Sequence, residues 1–237
     1  MAFDTALKLA LAPLLVAQGV GVRRRALVLP EPSGPRSGEL GDGPPLSLLI
    51  LGDSSAAGVG APTQGEALAG QLTARLASHH RVRWRLVARS GDTTANALAR
   101  LQNIPAEPFD LAVIALGVND VTHSVPLARW LARQAELRAR LTERFAVRHI
   151  IQSGLPPMGA FPALPQPLRA VMGLTARRFD AALAGTLADL PDAAHLRFNL
   201  PLTRDLMAPD GFHPSPAGYA LWAETLAPAL RAAALAG

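Results

Sequence analysis

The chain has no cysteine. Disulfides, thiolate metal sites and a cysteine nucleophile are excluded together. The compartment is not fixed by this, because exported proteins also do without cysteine. Lysine is nearly absent too. Lys8 is the only one, so the formal net charge of +5 rests almost wholly on arginine. Aromatic residues are 5% of the chain against 49% hydrophobic residues in all. The core must therefore be aliphatic, and a chain this apolar has no reason to be disordered. No stretch interleaves arginine with several of the aromatic rings on which bases stack, so the positive charge reads as solvated helix faces and no nucleic-acid partner is expected.

Long hydrophobic runs are missing as well. The most apolar stretch, 9–22, contains Pro13 and follows Lys8. It falls short of the ~18–20 residues that a spanning helix needs. As an export signal it is poorly formed, with Asp4 ahead of Lys8 and no arginine before the apolar run. The expectation is an amphipathic helix, docked on the domain or lying against a bilayer. Arg23, Arg24 and Arg25 at its end make residues 9–25 the place for any peripheral membrane contact. A cytoplasmic, membrane-associated location is expected, with export through an N-terminal signal as the alternative. Three parts follow: an N-terminal segment over 1–29, a Pro/Gly-rich linker or surface loop over 30–45, and a main domain over 46–237.

Within the main domain, short apolar runs alternate with helical spacing. Strands are expected at 46–51, 82–87, 111–116, 149–152 and 196–199. Helices are expected at 64–78, 93–101, 127–145, 168–187 and 216–234. Continuous apolar runs such as Leu48-Leu49-Ile50-Leu51 suit strands buried on both faces. Strand–helix alternation implies a parallel sheet covered by helices on both sides. In such sheets ligands bind beyond the carboxyl ends of the strands. The first polar clusters after the strands are Asp53-Ser54, Ser90 to Thr94, Asn119-Asp120, and Asp210 with His213.

Those residues have the chemistry of acyl transfer. A serine hydroxyl is a weak nucleophile until a base takes its proton. His213 is suited to be that base, since imidazole titrates near neutral pH. Asp210, three residues earlier, is close enough to fix its tautomer and stabilise the imidazolium. An oxyanion needs preorganised donors. The amide of Asn119 and the N–H groups of Ser54 and Gly91 would supply them, Gly91 because a residue without Cβ lets backbone approach a ligand. Each piece alone has a plain structural use, as a helix cap or a turn. Their joint occurrence, each after its own strand, is the signal.

The chain resembles the SGNH hydrolases, also called GDSL esterases and lipases. Gly52-Asp53-Ser54-Ser55 is similar to the first block of that family, and Gly91 in Ser90-Gly91-Asp92-Thr93 to the glycine of the second. Asn119 in Gly117-Val118-Asn119-Asp120 is similar to the asparagine of the third, and Asp210-Gly211-Phe212-His213 to the last. Two departures are visible. Ser55 stands where leucine gives the family its older name, and Arg89 stands where an asparagine is often found, which bears on how the Gly91 loop is held. The resemblance covers residues 46 to about 230. It implies a three-layer α/β/α sandwich of flavodoxin-like type with about five parallel strands, no metal and no cofactor, a catalytic set of Ser54, Asp210 and His213, and an oxyanion hole of Ser54, Gly91 and Asn119.

The expected activity is hydrolysis of small carboxylic esters with short to medium acyl chains, through an acyl-enzyme. An acyltransferase, a thioesterase or lysophospholipase, or a non-catalytic binding protein of the same fold are the alternatives. The loop over 154–167 is apolar and rich in proline, which limits its freedom to open. Val118, Met158, Phe161 and Phe212 are expected to line the substrate slot. His123 lies near enough to Asn119 to face the site, whereas His149 and His195 open strands and are expected to be structural.

Overall fold

A computed structural model describes residues 2–236, with side chains described from residue 11 to residue 235. After helix α1 (Ala2–Arg25) come strands β1 (Ser37–Leu40) and β2 (Pro45–Gly52), helices α2 (Ser54–Ala57) and α3 (Leu68–Ala77), and β3 (Arg81–Ala88). Helix α4 (Thr94–Gln102), β4 (Leu111–Ala115), α5 (Val118–Thr122), α6 (Leu127–Phe145) and β5 (His149–Ser153) follow. A 3₁₀ turn (Met158–Ala160), α7 (Leu168–Leu187), β6 (Ala193–Leu196) and α8 (Pro216–Ala236) complete the chain.

The strands form one sheet in the order β1-β3-β2-β4-β5-β6. Five are parallel, and β1 alone pairs antiparallel with β3. The five parallel strands thus have the doubly wound order in which the chain reverses direction across the sheet beside β2. Successive side chains of β2 point to opposite faces. Leu48 and Ile50 pack with α3 and α8 residues such as Leu72 and Leu226, while Leu49 and Leu51 pack with Leu137 of α6 and Leu183 of α7. Helices on both faces give the three layers, and the carboxyl ends of β2 and β4 meet at the switch point.

Three expectations change. Residues 30–45 are no mere linker, because Ser37–Leu40 adds an edge strand; all four of its residues are exposed, so no buried face marks it in sequence. The last strand lies at Ala193–Leu196 and not at 196–199, carried by its ladder to β5 and not by an apolar run. Helix α3 starts at Leu68 and not at 64, because the N–H groups of Glu66 and Ala67 turn back to the Thr63 carbonyl.

Helix α1 docks on the domain. Gln18 donates to the Gln166 carbonyl at 2.6 Å and accepts from the Leu168 N–H at 3.1 Å. It is not cleanly amphipathic: Leu15 and Val22 pack inward, yet Leu14, Val16 and Val20 are exposed. Lys8 and the rest of 1–10 lie outside the described side chains. No described helix is long and apolar enough to cross a membrane.

Candidate active site

Strand β2 ends in Gly52, where a Cβ would run into Ala56 and the Ala115 carbonyl. That lack of a side chain lets α2 start hard against the sheet. Asp53 caps α2, accepting from Ser55 N–H at 3.0 Å and from Ser55 Oγ–H at 2.8 Å. Ser54 is therefore the first helical residue, with its hydroxyl at the end of the sheet. Its N–H donates to nothing among the described residues.

The last loop brings the base. Asp210 Oδ1 accepts from the N–H groups of Phe212 at 3.0 Å and His213 at 3.1 Å, which folds the loop around the carboxylate. Asp210 Oδ2 lies 2.5 Å from His213 Nδ1, and His213 Nε2 lies 2.8 Å from Ser54 Oγ. An imidazole protonated at Nδ1 donates to Asp210 and accepts the Ser54 hydroxyl at Nε2. Burial pushes the Asp210 carboxyl up, but the bonds from the His213 ring and from the two backbone N–H groups outweigh it and hold the group below the usual carboxylate range.

Asn119 and Gly91 stand on the neighbouring loops. Gly117 (φ 140°) turns the chain from β4 into α5, and Asn119 sits in the first turn of that helix. Asn119 Nδ2 donates to the Asp92 carbonyl at 3.1 Å and, at a long 3.4 Å, to Asp53 Oδ2. This joins the third block to the loop of Gly91. Gly91 is exposed with φ 84°, its N–H donates to nothing among the described residues, and a Cβ there would meet nothing within 4 Å.

The Gly91 loop is held by groups the sequence did not single out. Glu31 Oε1 accepts the Ser90 N–H at 2.7 Å, and Arg36 steadies Glu31 at 2.9 Å while donating to the Ala88 carbonyl. Asp92 takes two bonds from the Arg100 guanidinium, at 2.9 and 3.0 Å. Arg89 is exposed and supports the loop through its backbone, its carbonyl accepting the Asp92 N–H at 3.1 Å. The segment read as a linker thus positions the loop after β3.

Two buried carboxylates lie beneath the site. Asp53 is 2% exposed, and burial pushes its carboxyl up to about 6, against the bonds from Ser55 and the nearby His213; Asp120 pushes it further up. Asp120 is fully buried and also raised by burial. It accepts from Thr94 N–H and Oγ–H, each at 2.9 Å. Gln134, itself bonded to Gln152, donates to the same Thr94 hydroxyl. This buried run ties α5, and with it Asn119, to α4 and α6. On the other side of the sheet, Tyr219 donates to the Val59 carbonyl at 2.7 Å and so pins the turn after α2.

A small apolar slot of about 50 Å³ opens beside Ser54 and His213. Val118, Phe161 and Phe212 line it. Met158 does not: it is fully buried in the core beneath the loop, because the 3₁₀ turn points it inward. Leu155 and Pro156 of the loop line the slot too, and Phe198, Leu202, Met207 and Trp222, which also line it, escaped the sequence reading. Trp222 had a signal, standing three residues after buried Tyr219 on the inner face of α8. Phe212 packs edge-on against both Phe161, at 4.7 Å between centroids, and His213, at 5.4 Å. His123 Nδ1 lies 2.7 Å from the Asn119 carbonyl and closes the end of α5. His195 Nε2 lies 2.8 Å from Asp180 Oδ1, which also accepts the Leu155 N–H at 2.9 Å.

The chain is similar to known proteins in sequence and in fold. The sequence pattern of the GDSL-like lipase/acylhydrolase family matches residues 50–221. A GDSL-like esterase of Mycobacterium tuberculosis is 33% identical over 196 residues, covering 78% of this chain and 61% of that protein. The chain therefore spans about three fifths of that relative's length. Among solved structures, TesA superposes with a TM-score of 0.61 at 24% identity, over 79% of this chain and 99% of TesA. A carbohydrate esterase family 2 enzyme of Corynascus thermopiles, with its carbohydrate-binding domain, gives 0.61 at 18%, over 85% of this chain and 68% of that one. These two likenesses establish the shared fold, and the family match, running from β2 to α8, adds the blocks that carry Ser54, Asn119 and His213: the chain belongs to the GDSL-like lipase/acylhydrolase family.

Proposed function

We propose that the protein hydrolyses carboxylic esters through an acyl-enzyme on Ser54. The observation that carries this reading is the unbroken run Asp210–His213–Ser54, with bonds of 2.5 and 2.8 Å. His213 takes the Ser54 proton as Oγ attacks the ester carbonyl, and Asp210 stabilises the imidazolium so formed. The negative charge moves to the carbonyl oxygen. Asn119 Nδ2, on exchanging its long 3.4 Å bond to Asp53 for the oxyanion, and the uncommitted N–H groups of Ser54 and Gly91 are the donors for it. His213 then returns its proton to the departing alcohol. Water, activated by the same imidazole, attacks the acyl-Ser54 carbonyl and releases the acid.

The acyl group is placed in the slot of about 50 Å³, which adjoins Ser54 directly. Its aromatic walls favour short acyl chains. The test is hydrolysis of p-nitrophenyl esters from two to sixteen carbons. The wild-type protein should prefer chains of about two to eight carbons, each methylene gaining about 0.8 kcal/mol until the slot fills. Ser54→Ala should abolish turnover. Asp210→Asn should lower kcat by about 10²–10⁴-fold, since it removes the group that orients the base. An optimum at sixteen carbons, or full activity in Ser54→Ala, contradicts the reading.

A further inference from the structure

A second and much larger apolar space lies outside the slot. It is a groove of about 760 Å³ between α1 and α7, within the range of small-molecule sites. Leu15, Gly19 and Val22 of α1 form one wall, and Leu168 and Met172 of α7 the other. Asn119 and Phe212 lie at its inner end. Phe212 therefore borders both spaces, the slot on one side and the groove on the other.

An ester divides at its carbonyl carbon. The acyl α-carbon is two bonds from Ser54 Oγ in the acyl-enzyme, so it must occupy space adjoining Ser54. Among the described residues the slot adjoins Ser54, whereas the groove touches neither Ser54 nor His213. The departing oxygen must reach His213 Nε2, and the Phe212 ring stands edge-on beside that imidazole. A chain leaving this point over Phe212 enters the groove. The groove wall from α1 lies outside residues 50–221, the part shared with the family, and Gln18 anchors it to the start of α7.

Resting on the esterase reading, we infer that the substrate is a short-chain acyl ester of a long apolar alcohol, with the acyl group in the slot and the alkyl chain of the alcohol between α1 and α7. In this arrangement α1 is a specificity element. Gly19 offers a direct perturbation. It lines the groove, and a Cβ built there meets nothing within 4 Å. A larger side chain also suits the helix better than glycine does.

The test compares acetate esters of ethyl, hexyl and decyl alcohols, followed by acid release, in wild type and in Gly19→Trp. The quantity read is the ratio of kcat/KM for decyl to ethyl acetate within one preparation, which cancels any loss of folded protein. The wild-type ratio should exceed about tenfold, and Gly19→Trp should reduce it at least about tenfold, as expected when several methylenes lose their burial. Met172→Ala, which widens the same groove, should move the preferred alcohol to a longer chain. A ratio unchanged in both variants overturns the inference. So does a change seen only when the acyl chain of p-nitrophenyl esters is lengthened, because that places the acyl group in the groove. Absence of any ester hydrolysis by the wild-type protein, ethyl acetate included, instead overturns the esterase reading on which it rests.

Discussion

Replacing Asp53 by asparagine should change how stability depends on pH. Asp53 sits one residue before the nucleophile position, 2% exposed, with His213 and Asp120 as the charged or titratable groups that act on it. Its carboxyl is pushed from an ordinary 3.8 up to about 6, chiefly by burial. The folded state therefore binds the proton more tightly than the unfolded chain does. Below pH ~3.8 both states are protonated and the shift contributes nothing. Between ~3.8 and ~6 the unfolded chain gives up its proton first, so stability falls as pH rises. Above ~6 the loss is complete. At ~1.36 kcal/mol per pH unit, the separation between 3.8 and about 6 corresponds to about 3 kcal/mol. Asparagine keeps an acceptor for the Ser55 bonds but cannot ionise. Urea unfolding of both proteins between pH 4 and 7.5 should show the difference, Asp53→Asn minus wild type, growing by about 2 kcal/mol across that range, the rest of the shift being lost already by pH 4. Any fixed offset from the amide facing Asn119 cancels in the comparison. A difference that stays constant with pH, or that shrinks as pH rises, would refute the burial argument.

Two further changes address the oxyanion donors. Asn119→Ala should lower kcat by about 10²–10³-fold with little change in KM, as for one lost donor; an effect confined to KM reassigns Asn119 to ground-state binding. Glu31→Ala, by freeing the Ser90 N–H and with it the Gly91 loop, should lower kcat about tenfold at unchanged KM, and Glu31→Gln, which keeps an acceptor at that N–H, should restore it. Equal losses in the two Glu31 variants would show that its charge, and not the bond to Ser90, is what counts.

β2 and β4 were legible because burial on both faces writes a continuous apolar run, and β3 because Val82, Trp84 and Leu86 alternate with arginines. β2, β3, β4 and β5 lie within one or two residues of their expected bounds. β1 was not, because an exposed edge strand is defined by its backbone partners on β3 and its side chains carry no pattern. The candidate site was legible where chemistry demands a residue type: Ser54 and Asn119 stand where polar residues first interrupt the apolar strands, and Asp210 and His213 in the loop after the last strand. What supports them was hidden. Glu31 and Ser90 are 59 residues apart, and only folding brings them together. The same holds for slot residues such as Leu202 and Trp222, which any packed core would also use. Met158 shows the converse. An apolar loop residue near a site can as well face the core, and the 3₁₀ turn decides which.

The central claim is that His213 activates Ser54, and covalent labelling reads it directly. Diethyl p-nitrophenyl phosphate reacts with a serine only when the hydroxyl is activated, releasing p-nitrophenol and leaving a diethylphosphoryl group on Oγ. The account predicts one equivalent of p-nitrophenol per chain, an intact mass higher by one diethylphosphoryl group, and that group on the peptide containing Ser54. His213→Ala should react slower by at least about 10³-fold, since the two residues act as a unit. Phosphorylation at another residue, or labelling of Ser54 at an undiminished rate in His213→Ala, would contradict it.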